Sequence, residues 1–298
     1  MKIMSDISCT ILSPRTRILT FDDNISVLLI IGSRFTFLCD THLGPESMKK
    51  VLNELGTISH PEQMVIFNSH SDWDHVWGNC EFSHNLIIGH STCRDRLKER
   101  GEYDLISHSS MTRGIVTITL PNMTFDSRLT FEEDDVEFIY APGHTIDSSV
   151  CFDRKDSILY VGDLVEDPIP YLDYERTDLY LNTLEMLLTF PADIMVSAHS
   201  GIIVRDLIRA NIAYIQAVQE GKSIDNSRFG AYDNVHQLNL NTRIMFRYEK
   251  EVRDILKEKF DFLSFWSLVP NLEKILSDEL EINLKQYLME IENVRHHQ

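Results

Sequence analysis

Four short apolar segments of the sequence are each followed, within four residues, by a histidine or an aspartate. Apolar runs of four or five residues, bounded by turn residues, are typical of strands buried on both faces of a sheet. Side chains that follow such strands collect at one edge of the sheet, where a rigid scaffold holds active-site loops. The segments are residues 64–67, 136–140, 158–161 and 194–197, and they precede His70, His144, Asp163 and His199.

The loop after residues 64–67 contains four candidate metal ligands within six positions. Side chains of this kind are rarely buried unless they are paired, and four together repel or stay unsatisfied without a cation between them. Each one taken singly also fits a solvated loop, and Asp72 also fits an outer hydrogen-bond acceptor. As a set they predict a metal-binding loop. The loop reads Asn68-Ser69-His70-Ser71-Asp72-Trp73-Asp74-His75.

The remainder of the first two hundred residues predicts further strands and a helix. Residues 25–31 and 34–39 are rich in β-branched and aromatic side chains, which indicates a hairpin that turns at Gly32-Ser33. A helix is expected to begin at Gly44-Pro45, because proline suits the first helical position. Residues 86–89 predict another buried strand. Buried strands with intervening helices predict an α/β sandwich.

Beyond residue 201 the apolar residues follow helical spacing, and strand signals become few. Stripes of such residues run over 203–218, 252–260 and 272–291, the last with a break expected near Ser277-Asp278. We therefore expect two parts: an α/β domain over residues 1–201 and a helical C-terminal subdomain or cap over residues 202–298.

Charge and cysteine content disfavour several classes of protein. The 28 Lys and Arg residues face 46 Asp and Glu residues, and the net charge of −18 disfavours nucleic acid and anionic membranes as partners. Five widely spaced cysteines without a CxxC pair predict neither a disulfide framework nor a zinc ribbon. The sequence also offers no secretion signal and no apolar run of roughly 18 residues, so we expect a cytoplasmic protein.

Over residues 20–201 the order of these motifs resembles the metallo-β-lactamase superfamily. The motifs are His70-x-x-x-Asp74-His75, Pro142-Gly143-His144-Thr145, Gly162-Asp163 and His199. The resemblance implies a four-layer αβ/βα sandwich, here with a C-terminal helical extension, that binds two divalent metal ions at the sheet edge.

Ligand roles follow from the resemblance by position. The first ion would take His70 and His144, and Asp163 would bridge it to the second ion. The second ion would take Asp74, His75 and His199. Asp40 matches an early aspartate of the family that supports the metal loop without binding metal.

One position departs from the family pattern, because Asp72 stands where a second histidine is usual. A carboxylate oxygen suits iron or manganese better than an imidazole does, so the metal is open between these ions and the zinc usual in the family. The added negative charge should also weaken anion capture and raise the pKa of bound water.

The resemblance implies a dinuclear metal-dependent hydrolase that uses a metal-bridging hydroxide on an ester, thioester or related small substrate. Asp74 would be the catalytic residue that accepts the proton of the attacking water. Relatives with a helical C-terminal part include glyoxalase II-like thioesterases, so the C-terminal helices would wall the substrate site. The partner expected is a small molecule, and a homodimer is left open.

Two alternatives stay open at this point. The first is a di-iron oxidoreductase or an oxygen or nitric oxide sensor, similar to the flavodiiron core, in which a glutamate replaces the same histidine. Such a protein would need a separate electron donor, because the chain has no room for a flavodoxin domain. The second is a binding or structural module with a degraded site. This is disfavoured, because six of the seven ligand positions have the expected residue type.

Overall fold

Two β-sheets packed face to face form the centre of the computed structural model, which describes residues 7–22, 24–225, 229–230 and 232–296. Alternation along each strand sends one set of side chains between the sheets and the other set outward. The rings of Phe67 and Phe138, one from each sheet, stack between them with centroids 4.3 Å apart. The inner layer therefore consists of apolar side chains from both sheets.

The first sheet has seven strands in sequence order, antiparallel from β1 to β4 and parallel from β4 to β7. The second has six strands in the order β13 to β8, and only β11 and β12 are parallel. The strands of the first sheet are β1 Ser8–Ile11, β2 Thr16–Thr20, β3 Ser26–Ile31, β4 Thr36–Cys39, β5 Met64–Phe67, β6 Leu86–His90 and β7 Met123–Phe125. Those of the second are β8 Arg128–Phe131, β9 Val136–Tyr140, β10 Ser149–Asp153, β11 Ile158–Tyr160, β12 Ile194–Ser197 and β13 Gly201–Ile203.

Helices cover the outer face of each sheet. In the first sheet, Leu29 and Leu38 point outward and pack with Val51 of α1, and in the second, Leu159 packs with Leu184 of α4. The α-helices are α1 Pro45–Leu55, α2 Trp73–Val76, α3 Ser91–Ser107, α4 Thr177–Thr189, α5 Arg205–Gln219, α6 Asp233–Leu256, α7 Phe262–Trp266 and α8 Ser277–His296. Short 3-10 turns span Trp77–Phe82, Ser109–Met111 and Lys257–Lys259. The predicted four-layer sandwich is confirmed.

Most of the local predictions are confirmed by these elements. β3 and β4 form the expected antiparallel hairpin, and α1 begins at Pro45. The prediction for the third C-terminal stripe was wrong in one respect. The break expected near Ser277 is the beginning of α8, so Leu272 and Leu276 lie before the helix instead of within it. Ile203 likewise belongs to β13 and not to the following helix.

The C-terminal helices form their own apolar cluster around Met245, Phe265 and Leu284. In contrast, Ile208 and Ile215 of α5 pack into the outer layer of the second sheet. The division at residue 201 stays a prediction, and the packing of α5 argues for a boundary after that helix. Across the described ranges, no helix combines the length and apolar character that crossing a bilayer requires.

A mostly buried ion pair joins Arg15, just before β2 of the first sheet, to Asp153, at the end of β10 in the second sheet. The Arg15 guanidinium donates hydrogen bonds to the Asp153 carboxylate on β10 and to the backbone carbonyl of Asp134 (2.6 Å). Thr16 of β2 also donates its hydroxyl hydrogen to Asp153 (2.6 Å). The Asp153 side chain is 0% exposed, so its charge depends on these partners.

We predict that Asp153→Ala lowers the free energy of unfolding by about 3–5 kcal/mol, because the mostly buried Arg15 guanidinium loses its hydrogen-bonded carboxylate and keeps only Asp156, at 3.8 Å. Urea denaturation measures the change. The control is Glu133→Ala, which breaks the exposed pair with Arg34 (3.3 Å) and should cost less than about 1 kcal/mol. Equal losses in the two variants would contradict the importance of the buried pair.

Candidate metal centre

Asp40, directly after β4, is the carboxylate that shapes the loop following β5. Its Oδ1 accepts a hydrogen bond from the backbone N–H of Ser69 (2.7 Å). Its Oδ2 accepts bonds from the Ser69 hydroxyl (2.7 Å), the Tyr160 hydroxyl (2.8 Å) and Nδ1 of His75 (2.8 Å). One buried carboxylate therefore fixes both ends of the segment from Ser69 to His75, as the sequence predicted for a residue that supports this loop.

Three imidazole rings are oriented by hydrogen bonds at Nδ1. His75 donates to Asp40, and His144 donates to the backbone carbonyl of Tyr171 (3.2 Å). The Ser69 hydroxyl donates its hydrogen to Asp40, so its oxygen accepts a hydrogen bond from Nδ1 of His70 (2.9 Å). A neutral imidazole with hydrogen on Nδ1 carries its lone pair on Nε2. In their neutral form all three rings therefore present Nε2 as a donor atom for a metal. A metal would replace the Nε2 hydrogen that His75 shares with Asp163 and the one that His144 shares with Asp72.

Asp163 lies at the point where these nitrogen atoms converge. Its Oδ2 is 3.0 Å from Nε2 of His75, 3.2 Å from His199, 3.7 Å from His70 and 4.0 Å from His144. The turn before it requires glycine. Gly162 has a φ of +54°, and a Cβ there would lie 2.7 Å from Oγ of Ser69.

The two aspartates of the loop face different pairs of histidines. Asp74 Oδ2 lies 3.3 Å from Nε2 of His199 and 3.7 Å from that of His75. Asp72 Oδ2 lies 3.3 Å from Nε2 of His144 and 3.6 Å from that of His70. The cluster thus has two halves that share Asp163. It brings together every ligand residue predicted from the sequence: His70, Asp72, Asp74, His75, His144, Asp163 and His199.

The donor atoms fit divalent cations. Donors held at about 2.0–2.2 Å by one ion lie roughly 3–4 Å from one another, which matches the separations between these atoms. Within the described ranges, His70 Nε2 and Asp163 Oδ1 are buried without a hydrogen-bond partner. Buried polar atoms seldom remain unpaired, and a cation between the two halves would satisfy both.

The pKa values of the cluster residues are shifted, because acids and imidazoles lie close together. Burial alone would lower the pKa of His75 and His199, but the Asp163 carboxylate and its neighbours hold both well above the ordinary value. Burial would lower the pKa of His144, but the hydrogen bond with Asp72 and the nearby carboxylates of Asp163 and Asp173 together raise it to about 10. Burial would raise the pKa of Asp163, yet His199 and His75 hold it well below its usual range. The carboxylates therefore stabilise positive charge at this point.

A pocket of about 810 Å³ opens beside the cluster, with the C-terminal helices as its far wall. Leu238, Phe246 and Trp266 from α6 and α7 line it opposite Asp72 and Asp74. The C-terminal helices thus form one wall of this pocket, and their contact with a substrate stays a prediction.

Sequence reasoning missed several polar residues that line this pocket, among them Arg100, Glu166 and Asp173. Arg100 lies within a helix, and the other two belong to the long segment between β11 and α4, so none follows a strand directly. Burial, reinforced by Asp163, raises the pKa of Glu166 to about 7. The only available signal was the local richness in Asp, Tyr and Pro over residues 167–174.

Solved metallo-β-lactamases resemble the chain in fold. The DIM-1 enzyme, in a structure exposed to ceftazidime, matches with a TM-score of 0.56 at 15% identity, covering 73% of this chain and 100% of its own. FIM-1 from Pseudomonas aeruginosa, in a mono-zinc form, gives 0.57 at 12%, covering 71% and 96%. The enzyme from Pontibacter korlensis gives 0.54 at 18%, covering 71% and 99%.

Sequence comparison identifies a family for the chain but no individual curated relative. A search of curated proteins gives no match. The family model of the metallo-β-lactamase superfamily matches residues 21–199, which is more than half of the chain and contains every residue of the cluster. Together with the two sheets and the converging histidines, this match shows that the chain belongs to the metallo-β-lactamase superfamily.

Proposed function

We propose that the chain is a dinuclear metal-dependent hydrolase that acts on an ester, a thioester or a related small substrate. The observation that carries the proposal is the position of Asp163, whose Oδ2 lies within 4.0 Å of Nε2 of four histidines. Three of these rings are held by hydrogen bonds at Nδ1, so their orientation does not depend on the metal. Such preorganisation is what a catalytic metal site requires.

Each half of the cluster would hold one ion. His70, His144 and Asp163 have ligand atoms within 4.8 Å of one another and would hold the first ion, with Asp72 as a further donor. The second ion would be held by a group of four residues whose ligand atoms also lie within 4.8 Å of one another, and Asp163 would be shared by both ions. That group is Asp74, His75, Asp163 and His199.

When bound, two divalent ions supply Lewis acidity toward a carbonyl or phosphoryl oxygen and bring the pKa of a water molecule toward neutrality. The protein contributes position and proton transfer. We assign Asp74 as the catalytic residue whose carboxylate orients the attacking water and accepts its proton. The Asp74 side chain is 14% exposed and lines the pocket, so it can reach both the ions and a substrate.

The shape and charge of the pocket support a small substrate. Apolar and aromatic side chains of the C-terminal helices, such as Phe246 and Trp266, line the pocket together with the aspartates of the cluster. A substrate with an apolar part would pack against this wall and place its ester or thioester carbonyl at the ions. The net charge of −18 supports neither nucleic acid nor an anionic membrane as partner.

The cellular compartment and the identity of the metal are further parts of the proposal. The five cysteines are free of disulfides, which supports a reducing cytoplasm. Zinc is the ion named for FIM-1, whereas the carboxylate of Asp72 favours iron or manganese in the first half. A homodimer stays open as a prediction.

One observation favours a second candidate, a di-iron oxidoreductase or gas sensor. Asp72 faces Nε2 of both His70 and His144, so a carboxylate stands at the first half of the cluster in place of an imidazole. Carboxylate-rich sites suit iron. Such an activity requires an electron donor.

Elemental analysis of protein purified without added metal, together with its optical spectrum in air, tests these functions. We expect close to two equivalents of zinc or manganese and measurable turnover of ester or thioester substrates. Two equivalents of iron with charge-transfer absorption, and no such turnover, would favour the oxidoreductase. Protein that takes up no divalent ion, even when zinc or manganese is supplied, would exclude both.

Asp163→Ala is predicted to lose at least one of the two ions, because its carboxylate is the donor shared by both halves. Metal content per chain is the measurement, and circular dichroism reports whether the variant is folded. Asp178→Ala serves as the control, since this exposed residue pairs with Arg176 away from the cluster. If both ions stayed at full occupancy, the bridging role would be wrong.

Asp72→His is predicted to keep the fold and to shift metal preference toward zinc, because an imidazole replaces a hard anionic oxygen. Competition between zinc and manganese for the same sample measures the preference. Asp178→His introduces the same change at an exposed position and should leave the preference unaltered. Unchanged metal content and selectivity in Asp72→His would show that Asp72 is not a ligand.

A further inference from the structure

A third aspartate lies against the first half of the metal cluster. Asp173 belongs to the segment between β11 and α4, and its carboxylate comes within 4.8 Å of the ligand atoms of Asp72 and His144, as those two do of each other. It also lines the pocket. The segment thus contributes Asp163 to the cluster and approaches the first half of the cluster again at Asp173, ten residues later.

The position of this segment is fixed from both sides. The backbone carbonyl of Tyr171 accepts the Nδ1 hydrogen of His144, so the segment already orients one proposed ligand. Asn239 of α6, which is 1% exposed, donates its amide hydrogen to the Pro170 carbonyl (2.8 Å) and accepts the Leu172 N–H (2.9 Å). A C-terminal helix therefore holds the backbone on the amino-terminal side of Asp173.

The Asp173 carboxylate has positive charges near it but no close partner. In the described part of the chain it makes no hydrogen bond and no ion pair within 4.0 Å, and the His144, Arg100 and Arg96 side chains act on it from farther away. Arg100, which lines the same pocket, approaches Asp104 instead, at 3.8 Å. Two carboxylates, Asp72 and Asp173, thus converge on one imidazole, and a cation is the partner that would relieve their repulsion.

We propose that Asp173 is a further ligand of the first metal ion and that Asn239 positions it. The inference rests on the dinuclear centre proposed above. It gives the first ion five donors, two imidazoles and three carboxylates, which exceeds the four of a tetrahedral zinc site and suits manganese or iron. Opposite donors of a six-coordinate ion lie about 4.0–4.4 Å apart, so a small rotation of the carboxylate brings Asp173 into reach. Four carboxylates would then balance the charge of two divalent ions.

Equilibrium dialysis against Mn²⁺ alone, and separately against Zn²⁺ alone, tests this ligand. Wild-type protein should bind two Mn²⁺ ions. Asp173→Asn should keep one of them and bind the other at least tenfold more weakly. Zn²⁺ affinity should fall less, because zinc is satisfied by four donors. Asp178→Asn, the same change five residues along the chain, is the matched control and should bind both metals as wild type does.

The role of Asn239 is tested with a second pair of variants. Asn239→Ala should weaken binding of the same Mn²⁺ ion, because the segment before Asp173 loses both hydrogen bonds that it makes with Asn239. Asn241→Ala removes a buried asparagine of the same helix, which bonds to the Leu272 and Ile275 carbonyls away from the cluster. This control should leave Mn²⁺ affinity unchanged, so general loosening of the C-terminal helices is distinguished from loss of a ligand.

The outcomes separate this inference from the proposed function. If wild-type protein fails to bind two ions, the dinuclear centre itself is wrong. If wild type binds two ions and a folded Asp173→Asn variant binds both Mn²⁺ ions with unchanged affinity, only the role of Asp173 is overturned. Circular dichroism checks the fold of every variant, and Asp173→Ser replaces Asp173→Asn if the latter does not fold. An effect of Asn241→Ala equal to that of Asn239→Ala would overturn the positioning role.

Discussion

The Asp40 carboxylate is the interaction on which the metal centre depends. It is buried, and it accepts hydrogen bonds from Ser69 and His75, which follow β5 of the first sheet, and from Tyr160 of β11 in the second. Through Ser69 it also determines which nitrogen of His70 carries hydrogen. A single acid between the sheets therefore sets the conformation of the loop and the orientation of two imidazoles. The stability of the sandwich and the geometry of the site are coupled at this residue.

The two sheets and the C-terminal helices contribute different parts of the site. The ends of β4, β5, β9, β11 and β12 bring the imidazoles and carboxylates together at one edge. The C-terminal helices close the other side of the pocket, and Asn239 reaches back to fix the segment that holds His144. The cluster and the far wall of its pocket are therefore carried by different parts of the chain, and the C-terminal part also contributes to the geometry of the proposed metal site.

Only the proposed participation of Asp173 would distinguish the first half of the cluster from the second, because each half otherwise has two imidazoles and two carboxylates. Asp72 replaces an imidazole in the first half, and Asp173 would add a third carboxylate. Each added carboxylate lowers the net charge of the loaded site, which weakens attraction for anionic substrates and favours ions that accept five or six donors. A neutral substrate with an apolar part fits such a site better than a polyanion does.

The sequence by itself determined the strands that carry the ligands and the identity of the seven clustered residues, because a short apolar run and the residue that ends it are local properties. The same reasoning found Asp40 and the start of α1 at Pro45. Only the tertiary structure decided that Asp173, Glu166 and Arg100 lie at the site and that Asn239 anchors the neighbouring segment. These residues follow no strand, and their positions depend on contacts between parts of the chain far apart in sequence, which local patterns do not encode.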